Sequence, residues 1–294
     1  MNAKPLDKIT KAYKGEMGED FRRKTRNRIN WIVNHTIGSK ILDVGCSQGI
    51  VPIILGREGK KVDAIDIAQE SIDYALEDLK SEHSTVQENV SFRVSNFMND
   101  ETLDSDYETV LLTEVLEHLS DPYRCLAKIH SHLTEGGRLL VTVPFGINDY
   151  FDHKRTYYYI ELMDHVSACF DVEKIEYLGN WVGVVCKKKN EPDYEKASSY
   201  SREAIERLET AFNNVERALV TRIEEFQATI QEKNLQIRNL QTALQNEQKK
   251  ETNHILSSQM AELQGKIDAL QTHLTEERQK EQLLSDENQT LQQL

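Results

Sequence analysis

The sequence predicts an α/β domain, a seven-stranded, mostly parallel doubly wound sheet, extended at its C-terminal side by one long helix. Three observations carry this. Lys40 to Asp66 reads as strand, glycine turn, helix and second strand; short apolar runs then alternate with helical segments up to about residue 190; and the composition changes abruptly beyond that point.

The elements follow from local chemistry. Residues 1–37 form a helical segment, with nine basic residues against four acids between Lys4 and Arg28 and an apolar continuation through Trp31, Ile32 and Val33. Ile41-Leu42-Asp43-Val44 is an apolar run of strand length, Gly45 to Gly49 turn the backbone sharply, and Ile50 to Leu55 continue as helix. Lys61 to Asp66 is the second strand. Further strands are expected at 90–95, 107–113, 137–143, 170–177 and 181–187, the last two as an antiparallel hairpin. Asp121-Pro122 caps and opens the helix before Gly136-Gly137, because proline has no N–H to leave unpaired at the first helical position. The α/β domain therefore spans 38–190, a polar linker 191–201, and the helical extension 202–294.

Twelve of the thirteen glycines and all five prolines lie at or before Pro192, and only Phe212 and Phe226 supply aromatic rings after Tyr200. Such a tail builds no globular core. Its apolar residues recur at steps of three and four: Ile205, Leu208, Phe212, Val215 and Leu219, then Ile223, Phe226, Ile230, Ile237, Leu240 and Leu244, then Leu256 through Leu291. A stripe of that length predicts a coiled coil and a homo-oligomer, since a lone helix leaves it in water. The four-residue step at Leu219 to Ile223 is a stutter, and the weak stretch near Glu247 to His254 is a register change.

The formal charge of −13 argues against broad phosphate-backbone binding, and so against nucleic acid as a general partner. The basic stretch from Lys4 to Arg28 is the local exception, readable as a clamp for an anionic acceptor or as a solvated helix face. Cys46, Cys125, Cys169 and Cys186 show no C-x-x-C spacing, and there is neither a signal-like N-terminus nor an apolar run of eighteen residues. A reducing cytoplasm is the expected compartment.

In doubly wound sheets the ligand lies outside the carboxyl ends of the strands, which gathers Asp43 to Gly49, Asp66, Asn96-Phe97 and Thr113-Glu114 around one crevice. A carboxylate about twenty residues past the turn, here Asp66, is placed to accept two ribose hydroxyls. With only Gly45 and Gly49, the turn lacks the G-x-G-x-x-G of a pyrophosphate binder. Asp43-Val-Gly45-Cys46-Ser-Gln-Gly49 instead resembles motif I of the class I S-adenosylmethionine-dependent methyltransferases. Ala64-Ile-Asp66-Ile67, Ser95-Asn96-Phe97, Glu114-Val-Leu-Glu117-His118 and Gly136-Gly-Arg-Leu-Leu-Val141 follow in family order. The likeness covers about 38–188. It implies S-adenosyl-L-methionine as cofactor, bound by Asp43, Gly45, Cys46, Gly49, Asp66, Ile67, Asn96, Phe97 and Thr113. Asp66 would hold the ribose, Asn96 the adenine edge with Phe97 nearby, and Thr113 would lie along the cofactor. The Cys46 thiol is small enough to pack beneath the turn.

If Glu114 to His118 begins a helical turn, Glu114, Glu117 and His118 share one face beside the methyl group. Two families carry this E-x-x-E-H arrangement. The ubiquinone-pathway O-methyltransferases match Glu-Val-Leu-Glu-His-Leu-Ser-Asp-Pro closely. The small-RNA 3′-end 2′-O-methyltransferases use the two Glu and the His, with a later His, to bind a divalent cation, and His153 in Asp152-His-Lys resembles that later histidine's context. The resemblance thus implies Mg²⁺ or Mn²⁺ at Glu114, Glu117, His118 and His153; a metal-free base, with Glu117, His118 and His153 catalytic, and a merely structural cap are the other readings.

The expected function is a methyltransferase acting on a hydroxyl of a glycan or small metabolite. The alternatives are a metal-dependent RNA 3′-terminal 2′-O-methyltransferase and a coiled-coil scaffold whose domain binds cofactor without turnover.

Overall fold

The computed structural model describes residues 8–193, 202–250 and 257–291. Lys4 and most of the expected linker lie outside them. The helices are α1 (Ile9–Lys14), α2 (Glu19–His35), α3 (Ile50–Arg57), α4 (Gln69–Lys80), α5 (Ser84–Asn89), α6 (Pro122–His132), α7 (Tyr159–Ser167), α8 (Arg202–Lys250) and α9 (Ser257–Leu291). The strands are β1 (Lys40–Val44), β2 (Lys61–Asp66), β3 (Val90–Val94), β4 (Tyr107–Thr113), β5 (Leu133–Pro144), β6 (Phe170–Tyr177) and β7 (Trp181–Lys188). Their order is β3-β2-β1-β4-β5-β7-β6, with β7 alone antiparallel to its neighbours.

The central strands are apolar throughout because both faces are covered. Ile41, Leu111, Leu140 and Val185 pack with Ile29, Ile32 and Leu55 of α2 and α3. Their sequence neighbours Leu42, Val110, Leu112, Leu139 and Val184 pack on the opposite side with Leu126, Ile129, Leu162 and Val166 of α6 and α7. Two-residue alternation along each strand thus feeds two separate layers.

Strand β5 begins earlier than expected. Leu133 pairs with Tyr107 and Arg138 with Thr109, a register shift absorbed around Gly136, whose φ is +74°. Asp121 caps α6 through a bond from Arg124 N–H (3.1 Å), with Pro122 next.

The basic stretch, read as a clamp or as a solvated helix face, carries local pairs on its exposed side. Arg22 pairs with Glu19, Arg23 and Lys24 pair with Asp20, and Arg26 stacks 5.0 Å from the Tyr13 ring.

Contacts divide the chain into two compact units, 1–209 and 210–294. The boundary falls inside α8, not at residue 202, because the first turns of α8 are fastened to α7: Arg202 pairs with Asp164 at 2.6 Å, and Ile160 N–H donates to Glu209 at 3.0 Å. Among the described residues the tail forms α8 and α9; the expected register change near Glu247 to His254 begins within α8, and its remainder, from residue 251, lies outside the described residues. Ile237, Ile267, Leu274 and Leu284 on the apolar stripe are buried, whereas Val215 is exposed.

Gly49 shows the tightness of the packing. Its φ is +77°, and a Cβ there meets Phe92 Cζ at 2.5 Å and Ala75 Cβ at 2.8 Å. Gly49→Ala should cost about 2–4 kcal/mol from the left-handed backbone and the overpacking together, read as a lowered midpoint in urea unfolding with an unchanged slope.

Candidate active site

The turn after β1 is held by the neighbouring strand. Gly45 (φ +79°) and Cys46 donate their N–H groups to the Ile65 carbonyl at 2.8 and 3.0 Å. Asp66 closes the ring: one carboxylate oxygen accepts from Ser47 N–H (2.9 Å) and the other from Ala68 N–H (2.8 Å). Each oxygen keeps a further lone pair for a ligand hydroxyl. Asp43 lies beneath, buried, with Oδ1 lacking a hydrogen-bond partner; burial and then the neighbouring Asp66 charge push its carboxyl up to about 7. An orphaned acid of this kind fits a ligand carrying positive charge.

Cys46 packs against Ala64, Ile72 and Phe92, and its burial pushes the thiol well above the usual range, so it is no nucleophile. Ile67 is 72% exposed at the rim, an apolar side chain facing open space. Asn96 spends its Oδ1 on Met98 N–H (3.0 Å) and keeps its amide donors. Phe97 is 5% exposed and packed in the core with the Lys128 ammonium 5.1 Å from its ring. Thr113 ends β4 beside Thr142.

The expected face of Glu114, Glu117 and His118 does not form. Glu114 takes φ +60°, and Leu116–His118 is a short 3₁₀ turn. With three residues per turn and a left-handed residue before it, Glu114 is sent the opposite way. Its Oε2 pairs with Arg28 (2.7 Å) and accepts from the Trp181 indole N–H (2.6 Å), and its Oε1 accepts from the Thr142 hydroxyl (3.0 Å). The Arg28 guanidinium lies 4.6 Å from the Trp181 ring. Glu114 is thus an anchor and stands apart from the group with which it was expected to bind metal.

That group is Glu117, His118 and His153, one ligand atom of each lying within 4.8 Å of the others. Glu117 is 1% exposed, and neither carboxylate oxygen has a hydrogen-bond partner; burial, then the Glu114 charge, pushes it up to about 9. His118 Nδ1 lies 3.3 Å from the Asp152 carbonyl, and its ring meets that of His153 edge-on at 4.7 Å. Two imidazoles and an orphaned carboxylate fit a divalent cation of the Mn²⁺ type better than Mg²⁺, which prefers oxygen.

The larger cavity, about 350 Å³, shares no residue with either the turn or this cluster. Its polar lining is self-satisfied, Ser91 and Tyr107 both donating to Asp63 at 2.6 and 2.9 Å.

A sequence profile described as a methyltransferase domain matches residues 17–214, two thirds of the chain. The chain belongs to the methyltransferase-domain family. Among curated relatives, a ubiquinone biosynthesis O-methyltransferase from Aeromonas salmonicida is 31% identical over 125 residues, 39% of this chain and 48% of that protein. One from Xanthomonas euvesicatoria is 36% identical over 109 residues, 36% and 43%. The chain spans about half the length of the curated relatives it matches. Among solved structures, the [4+2]-cyclase SpnF superposes with a TM-score of 0.51 at 16% identity, covering 57% of this chain and 82% of the cyclase. The PH0226 protein from Pyrococcus horikoshii gives 0.50 at 17%, covering 61% and 96%. These likenesses establish the fold. The family match shows a methyltransferase domain.

Arg28 and Gln48 escaped the sequence reading. Arg28 lies on the α2 stripe Thr25, Arg28, Ile29, Ile32, where a buried cation signals a buried acid partner. Gln48 is buried and accepts from Thr10 N–H at 3.1 Å, seating α1 on the methyltransferase turn. No sequence signal links that pair. Arg28→Met should destabilise the protein by about 2–4 kcal/mol by stranding Glu114, and a second change, Glu114→Gln, should recover part of the loss; thermal melts of the three variants check this.

Proposed function

We propose that this methyltransferase transfers its methyl group to a hydroxyl of a glycan or small metabolite, with Glu117, His118 and His153 activating the acceptor. The convergence of these three side chains on one point, with the Glu117 carboxyl orphaned, carries the reading. S-adenosylmethionine, when bound, supplies a methyl group already activated on a sulfonium. In this reading Gly45, Cys46 and Gly49 shape the turn that receives its amino-acid end, and Asp43 offers its orphaned oxygen to positive charge. Asp66 holds the ribose, Ile67 and the Asn96 amide meet the adenine, and Thr113 lines the path.

The enzyme's work is then alignment and proton removal. The acceptor oxygen forms its bond to carbon as the carbon–sulfur bond breaks, and an imidazole of His118 or His153 takes the hydroxyl proton. In the alternative reading, a divalent cation held by Glu117, His118 and His153 would lower the hydroxyl pKa, both imidazoles then serving as ligands and the proton leaving to solvent. RNA is the weaker alternative, because the chain carries a formal charge of −13, and Arg22, Arg23 and Lys24 of the basic stretch are paired with Glu19 and Asp20.

Two further features are proposals. The helical stripe in 202–294 supports a homo-oligomer. The four cysteines, all free and buried, support a reducing cytoplasm. No helix among the described residues is long and apolar enough to cross a membrane.

The test follows radiolabelled methyl from S-adenosylmethionine into a cell extract, with Mn²⁺, Mg²⁺ or EDTA. Label is expected in glycan or metabolite fractions and should fall on chelation. A Glu117→Ala/His118→Ala variant should lose about 10²–10⁴-fold in turnover with cofactor affinity unchanged. Full turnover in that variant would falsify the catalytic assignment, and label confined to RNA would move the acceptor class.

A further inference from the structure

The turn after β1 meets only half of what its proposed ligand needs. The amino-acid end of S-adenosylmethionine carries an ammonium and a carboxylate. Asp43, orphaned beneath the turn, suits the ammonium. The carboxylate needs hydrogen-bond donors, and most of the turn's own are taken. Gly45 and Cys46 give their N–H groups to the Ile65 carbonyl, Ser47 gives its own to Asp66 (2.9 Å), and Gly49 to the Cys46 carbonyl (3.0 Å).

A donor stands beside the turn on α1. Thr10 is fully buried, and its hydroxyl has no hydrogen-bond partner. Its N–H is already given to Gln48 Oε1 at 3.1 Å, so the side-chain hydroxyl is what Thr10 has left to offer. The same bond makes Thr10 a direct neighbour of the turn, because Gln48 lies between Ser47 and Gly49 and is itself 1% exposed. A hydroxyl buried without a partner costs free energy, and in a native fold that cost points to a missing group. An orphaned donor and an orphaned acid around one turn are complementary to the two charges of an α-amino acid.

α1 is held firmly enough to present that hydroxyl. Ile9 and Tyr13 pack on the cluster that contains Ile50 and Val51 of α3. The Tyr13 carbonyl accepts from Arg26 Nε–H at 2.9 Å, and Lys14 pairs with Asp78 of α4 at 3.5 Å. Gly15 and Gly18, at φ +94° and +98°, allow the short connection to α2.

We propose that the Thr10 hydroxyl donates to the carboxylate of the cofactor's amino-acid end, with Gln48 fixing Thr10 to the turn. The assignment adds α1 to the cofactor site and rests on the reading above, in which the 43–49 turn receives that end.

Calorimetric titration of the full chain tests it with two probes, S-adenosylhomocysteine and 5′-methylthioadenosine, which keeps adenine, ribose and sulfur but lacks the amino-acid end. Thr10→Val removes the hydroxyl while keeping the side-chain shape and the N–H to Gln48. It should weaken S-adenosylhomocysteine by about ten- to a hundredfold, the effect of one hydrogen bond to a charged group, and leave 5′-methylthioadenosine within about twofold. Thr10→Ser should bind both probes as the parent does. Because the hydroxyl is orphaned in the free protein, ligand-free Thr10→Val should melt no lower than the parent, whereas loss of a structural hydroxyl lowers the melting temperature. Unchanged S-adenosylhomocysteine affinity in Thr10→Val, equal losses for both probes, or a lowered melting temperature of that variant overturns the Thr10 contact. The two readings fail separately. A parent that binds S-adenosylhomocysteine better than 5′-methylthioadenosine, with Thr10→Val indifferent, sinks the Thr10 contact alone; a parent that binds neither probe, or both equally, sinks the seating of the amino-acid end at the turn and the Thr10 contact with it.

Discussion

The Glu114 carboxylate, gripped by Arg28, Trp181 and Thr142, is the interaction on which the site depends. A non-glycine residue at φ +60° is strained by about 1–2 kcal/mol and persists only where its surroundings over-determine it. Here α2, β5 and β7 each contribute a partner. The reversal that this residue makes puts Val115 against the cofactor turn, so closely that a Cβ on Gly45 would fall 2.5 Å from its Cγ2. The same reversal points the next carboxylate, Glu117, into the interior. One charge held in place thus orders both the cofactor side and the acceptor side of the crevice.

Electrostatics favour the same division of roles. Asp43 and Glu117 are both buried acids lacking hydrogen-bond partners on at least one oxygen, and both are pushed toward the neutral form by burial and by a neighbouring carboxylate. Glu114, between them in sequence, is instead paired with Arg28. A crevice with two unpaired buried acids is costly when empty of cations and well matched to a sulfonium-bearing donor. The cost is placed where function needs it.

The sheet was legible because its strands are buried on both faces, so that Ile41-Leu42, Val110-Leu111-Leu112 and Leu139-Leu140-Val141 read as unbroken apolar runs bounded by glycine or polar turns. The cofactor turn was legible for a related reason: its glycines and Asp66 stand at intervals that backbone geometry imposes. The acceptor side was legible only as residue types. Glu117, His118 and His153 do meet, but a helical reading of 114–118 required ordinary φ angles, and nothing local announces a left-handed glutamate. Its cause lies 86 residues away in Arg28. At the tail, periodicity gave the stripe, while the docking of its first turns on α7 rests on Arg202 and Glu209, which lie outside that stripe.

The loop after β5 shows how an exposed segment can still be a precise surface. Its hydrogen bonds run backward to Glu117 of the 3₁₀ turn and to Leu119 and Ser120 just after it, and within itself from His153 to Tyr150 and Asn148. Any shift of that loop would pull on the Glu117 carbonyl and displace the carboxyl beside it. The loop and the Glu117–His118–His153 cluster are therefore tied by backbone hydrogen bonds, the least compliant connection available to a loop, to the turn that Glu114 sets. That coupling is what alignment catalysis requires, since the methyl donor brings its own reactivity and the protein contributes chiefly distance and angle.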